Sequence, residues 1–184
     1  MSAYLVLLLA VLSRILPHTF HVVGLNFTAV GGGLLFFGAR RSRWQALIAI
    51  LALAATDYYL TVYAYGFPFH VSSYLATWAW YGAICLLGSG LLAKRATALR
   101  VTAGVLATST SFFVLSNFMV WAAGGMYPAT TAGLGACYVA AIPFFANDLI
   151  STAIVAGALF GVPALAKDIA RTVWLPEGSN QPLA

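Results

Sequence analysis

Residues 43–70 read RWQALIAILALAATDYYLTVYAYGFPFH, and this stretch decides the fold. Nothing from Trp44 to Thr56 is charged, and the apolar run continues past one acid, Asp57, to Ala64. About 20 mostly apolar residues suffice for a helix to cross a bilayer, so 43–64 reads as a transmembrane helix. Asp57 then lies about two turns from its end. A charged group at that depth is costly and turns to the bundle interior, toward a partner. Arg14 or a histidine fits that role. Tyr58, Tyr59, Tyr63, Tyr65, Tyr74, Trp78, Trp80 and Tyr81 cluster around the turn that follows, as an aromatic belt at the membrane interface would.

The rest of the chain repeats the pattern. Of 184 residues, 62% are hydrophobic and 7% charged, and the mean hydropathy is +0.92. A soluble domain carries roughly 25% charged residues, so that class is excluded. Runs cut at charges, turns and polar clusters give spans at about 2–16, 25–39, 43–64, 71–93, 98–123 and 147–170. The expected fold is an all-α integral membrane protein, a single membrane domain over 1–184 with six transmembrane helices. The first two spans are short and need tilt or shelter from the others. The apolar stretch 129–145 is expected to be a short extra helix packed against the outer half of the bundle, a placement tolerated where protein buries it. The N-terminus has no basic residue before its apolar run and reads as a first span, not a cleaved signal.

Orientation follows from charge. Arg40, Arg41, Arg43, Lys94, Arg95, Arg100, Lys167 and Arg171 fall in alternate connections, and the opposite connections hold no Lys or Arg. Eight of nine basic residues on one side place both termini in the cytoplasm, the expectation for a bacterial inner membrane. Arg14 is the exception. The net charge of +5 is thus a topology signal, and no nucleic-acid partner is expected. Small residues four apart, among them Ala153, Gly157 and Gly161, allow close helix approach within the chain or to a partner.

The same topology brings His18, His21 and His70 to the outer side, with Asn117, Asn147 and Asp148 in the outer half of the bundle. Cys85 and Cys137 read as small buried hydrophobes. No HExxH, GxSxG or phosphate-binding loop occurs, and no enzyme activity is expected. The candidate ligand-binding residues are His18, Asp57, His70, Tyr74 and Asn117. An alternative is a transition-metal site from His18, His21, His70 and Asp57, since neutral imidazole is a good ligand for such ions. A further alternative is an accessory structural membrane subunit without a ligand.

Pro17-His18, Asn26 to Gly31, Asp57 with Gly66 to His70 and Tyr74, Ser116 to Phe118, Val120-Trp121, Tyr127-Pro128, Ala132-Gly133, Cys137-Tyr138 and Pro143 to Phe145 together resemble an uncharacterised family of bacterial six-span membrane proteins. That family is similar to the BtuM cobalamin-uptake proteins and, through them, to the S components of energy-coupling factor (ECF) transporters. The resemblance implies a six-helix S-component bundle and a micronutrient-uptake role, with a vitamin or cobalamin-like ligand held on the outer side and an ECF energising module as partner. It also implies that His18 and Asp57 line the corrinoid site. His70 stands where some members carry a cobalt-binding cysteine, so axial cobalt coordination would fall to its imidazole. Ala146 stands where related proteins tend to carry an arginine, and an anionic ligand would lose that charge partner.

Overall fold

The computed structural model describes residues 2–19 and 27–174, and the side chains of residues 2–15 and 27–170. His18, His21 and Asn26 lie outside the described side chains. The described chain is helical, in six rods: α1 (Ala3–Thr19), α2 (Val30–Arg40), α3 (Ala46–Tyr59), α4 (Leu75–Leu91), α5 (Ala98–Ala123) and α6 (Thr131–Ala156). A 3-10 turn at Arg43–Gln45 leads into α3, a π turn at Leu60–Ala64 extends it, and a 3-10 turn at Val71–Ser73 precedes α4. A second π turn, Gly157–Gly161, carries α6 straight into α7 (Val162–Trp174).

Three stretches are long and apolar enough to cross a membrane: Arg43–Ala64, Ala98–Ala123 and Thr131–Ala170. Ala3–Ile15 and Leu75–Leu91 are shorter apolar helices. Large apolar side chains point outward along the rods, including Leu5, Leu8, Leu9 and Leu12 on α1 and Val139, Ile142, Ile150 and Ile154 on α6. An apolar exterior of this extent has no place in water and marks a membrane protein.

The short second span is sheltered, as its length requires. Every residue of α2 from Val30 to Ala39 is buried, and with 11 residues it is only about 16 Å long. A helix apolar on all sides belongs in an interior. Its glycines let neighbours come close. A Cβ on Gly38 would overlap the backbone carbonyl of Cys85, and one on Gly88 of α4 would overlap that of Leu35, so α2 and α4 touch backbone to backbone. Both cysteines are buried and free.

The stretch 129–145 is not a separate helix. It forms the first half of α6, a continuous helix through Pro143. Proline removes one i−4 bond, a loss that helices in a membrane accommodate. The junction at Asn147-Asp148 does not break the helix either: α6 runs through it to Ala156, and Ser151 back-bonds to the Asp148 carbonyl at 2.9 Å, as helical serines do. Asp148 therefore sits 17 residues, about 26 Å, from the start of α6 rather than opening a span near the outer face. Thr131–Ala170 is 40 residues long, about 60 Å, twice the ~30 Å hydrocarbon core.

One end of the bundle is basic. Arg40 and Arg41 there line a groove of about 590 Å³ with Ser2, Phe36, Leu159 and Val162. Gln45 reaches Tyr4 OH at 2.9 Å, tying the starts of α1 and α3 together at this end. The opposite end carries the turns at 60–74 and 124–130.

Candidate functional site

Arg14, Asp57, Trp78 and Tyr81 form one network where α1, α3 and α4 meet. Arg14 Nη2 lies 2.6 Å from Asp57 Oδ1, with the Asp57 side chain 2% exposed. Trp78 Nε1 donates to Asp57 Oδ2 at 2.9 Å, and Arg14 Nη1 donates to Tyr81 OH at 3.0 Å. Trp78 and Tyr81 are three residues apart on α4 and so share a face. Both carboxylate oxygens are engaged, which is what a charge at this depth needs. Of the two partners expected for Asp57, Arg14 or a histidine, the structure supplies Arg14.

Toward the turn end the network becomes aromatic. Thr61 Oγ1 donates to the Asp57 carbonyl at 2.7 Å and pairs with Tyr74 OH at 2.5 Å. The Tyr74 ring stacks on Phe69 with centroids 4.8 Å apart and continues to Trp78 at 6.1 Å. Tyr58 meets Phe69 edge-on at 5.1 Å. A hydrogen-bonded polar base is thus capped by flat apolar area, and stacked rings of this kind hold their geometry beyond what burial alone provides.

The residues singled out from sequence separate into groups. Asp57 and Tyr74 come together through Trp78 and Thr61. His70 is exposed and sits just before the 3-10 turn Val71–Ser73, next in chain to the stacked Phe69. Asn117 lies elsewhere: its Nδ2 donates to the Phe113 carbonyl at 2.8 Å, and Cys137 Sγ approaches its backbone oxygen at 3.4 Å. It joins α5 to α6, away from the Arg14–Asp57 network. The placements expected for His18 and His21 lie outside the described residues. Among the described residues no three His, Cys, Asp or Glu side chains converge as a metal site.

Sequence reading assigned Trp78 and Tyr81 to the interfacial belt and missed their polar atoms. The available signal was their i, i+3 spacing, which puts an indole N–H and a phenol on one face of α4, where they meet Asp57 and Arg14 respectively.

No curated protein and no solved structure matches the chain. Residues 1–174 match a family of unknown function (DUF6580), and on that coverage the chain belongs to this family.

Proposed function

We propose that the protein is a six-span membrane protein with both termini in the cytoplasm that binds a small organic ligand at the end of the bundle opposite its arginines. The alternation of basic and non-basic connections supports the orientation. The observation that carries the ligand reading is the stacked shelf of Phe69, Tyr74 and Trp78 fixed over the Arg14–Asp57 pair. A pre-ordered aromatic surface with a few convergent polar groups and an adjacent exposed His70 suits a flat, partly polar molecule. Micronutrient uptake, with a vitamin or cobalamin-like ligand and an ECF energising module, is the role the family resemblance adds. Since Arg14 and Trp78 already take both Asp57 oxygens, we assign Asp57 to holding the shelf and His70 and Tyr74 to touching the ligand.

The test is mass spectrometry of small molecules retained by protein purified in mild detergent, followed by titration calorimetry with the molecule found and with cobalamin. His70→Ala and Tyr74→Phe should each weaken binding at least several-fold without moving the unfolding midpoint by more than a few degrees. Binding unchanged in both variants refutes the site.

A second reading, an accessory subunit without a ligand, draws on a different observation. Ala153, Gly157 and Gly161 lie on the exterior, and the two glycines have no neighbour against a Cβ. That reading predicts retention of a protein partner and no small molecule.

A further inference from the structure

Asp57 and Asp148 are both acids within long apolar helices, but they are treated differently. Asp57 has a guanidinium and an indole. Asp148 has no ion pair with a basic side chain among the described residues, and its Oδ2 is buried with no hydrogen-bond partner there. Three buried hydroxyl residues lie on the neighbouring turns of α5 and α6, Thr108 and Thr152 both against Gly31 and Ser109 beside Asp148. Thr108 and Ser109 come from α5, and Thr152 follows Asp148 by one turn of α6. All three are 0% exposed, and none of their oxygens has a hydrogen-bond partner among the described residues.

This behaviour differs from that of other hydroxyls in the molecule. Ser13, Thr56, Thr61, Ser111 and Ser151 each donate to a carbonyl three or four residues back, the usual way a helix satisfies a hydroxyl. Thr108, Ser109 and Thr152 forgo that bond. Ser109 approaches the Asp148 carboxyl without closing a bond of good geometry. Gly31 of α2 supplies the third wall: a Cβ there would stand 2.5 Å from Thr152 Oγ1 and 3.1 Å from Thr108 Cγ2.

A lone carboxylate in an apolar bundle requires a compensating positive charge. A proton would neutralise it and allow one new donation, leaving the other hydroxyls as they are. A metal cation would engage the carboxylate and three hydroxyl oxygens together. A ligand set made only of oxygen suits a hard ion. One carboxylate balances one charge, whereas a divalent ion would leave an excess inside the bundle, at the high cost of any unpaired buried charge.

We propose that Asp148, Thr108, Ser109 and Thr152 form a binding site for a monovalent metal cation between α5, α6 and α2, for which Na⁺ is the probe. Asp148 itself is half-buried, while the three hydroxyl residues are fully enclosed. Three helices converge on the site, so occupancy should tighten the bundle independently of any ligand at the aromatic shelf.

The test uses the full chain in detergent at constant ionic strength, with choline chloride exchanged for NaCl. The expected result is a saturable rise in unfolding midpoint of about 3 °C or more, together with one radiolabelled Na⁺ bound per protein. Asp148→Asn should abolish both effects, and Thr152→Val should weaken Na⁺ binding at least tenfold. If Asp148→Asn does not fold, Thr152→Val carries the test, since it keeps size and removes only the oxygen. The proposal is overturned if midpoint and binding are the same in choline and Na⁺, if the effect survives both substitutions, if only a divalent ion acts, or if lowering pH stabilises the protein with no effect of Na⁺.

Discussion

Separating Arg14 from Asp57 should cost more than removing both charges together. The pair is short, at 2.6 Å, and the Asp57 side chain is 2% exposed, while that of Arg14 is 21% exposed. Removing one member of a buried pair costs about 3–5 kcal/mol because the other charge is left uncompensated. In Asp57→Asn the orphan is Arg14, and its partial exposure puts the cost at the lower end, about 3 kcal/mol. Asn keeps an oxygen for Trp78 Nε1, so that bond adds little. In Arg14→Met the orphan is the deeply buried carboxylate, and the cost rises to about 4 kcal/mol. The double variant has no unpaired charge and loses chiefly the donation to Tyr81 OH, about 1 kcal/mol. For a chain of this size 1 kcal/mol moves the midpoint by about 2–4 °C, so each single variant should fall by about 6–16 °C and the double by much less. The assay is a double-mutant cycle on detergent-purified protein, by thermal unfolding followed through tryptophan fluorescence. A double variant that falls by the sum of the two single shifts would show that the groups are uncoupled, and the structural account of the pair would fail.

Other consequences can be checked with the same material. Gly38→Ala or Gly88→Ala should reduce the yield of folded protein or cost at least about 2 kcal/mol, because the added methyl meets a neighbouring backbone carbonyl in an interior that cannot yield easily. Gly90→Ala, where a Cβ meets nothing within 4 Å, should be neutral or stabilise by up to about 1 kcal/mol; equal losses at Gly38 and Gly90 would contradict the close contact between α2 and α4. Trp78→Phe keeps a ring in the stack but removes the donor to Asp57 and should cost about 1.5–3 kcal/mol, read from the same unfolding curves. Cys85 and Cys137 are each 2% exposed, so a membrane-permeant thiol reagent should label neither until the protein unfolds; fast labelling of native protein would refute their burial.

Much of the fold was legible because apolar length is a strong signal. Residues 98–123 were expected as a span and form α5 over the same residues, and 43–64 is one helical stretch. The failure at 129–145 has a physical cause. Asn147-Asp148 is a polar cluster at which the apolar run is cut in sequence, but a helix flanked by other helices carries such a pair, and Pro143 before it, without ending. The candidate site was legible at its charges. Asp57 stood out as an acid in an apolar run, and Arg14 was one of its two expected partners. What stayed hidden was neutral polarity: Trp78, Tyr81 and Thr61 complete the network through single N–H or O–H groups that composition counts as aromatic or small. Asn117 shows the converse, a polar residue that attracts notice in sequence but bonds back to its own helix and to Cys137 of α6.

The π turn at Gly157–Gly161 sets the angular phase of everything after it. A π turn takes in about one residue more than an α turn, and one residue corresponds to about 100° of rotation. The part of the rod that aims Ser151, Thr152 and Ala156 inward is therefore clocked against the part bearing Val162, Leu165 and Ile169, all three of which are exposed. Deleting one residue from the turn would swing α7 by about 100° and leave the contacts of α6 in place, so the direction in which Lys167 and Asp168 face is adjustable separately from the packing of the bundle.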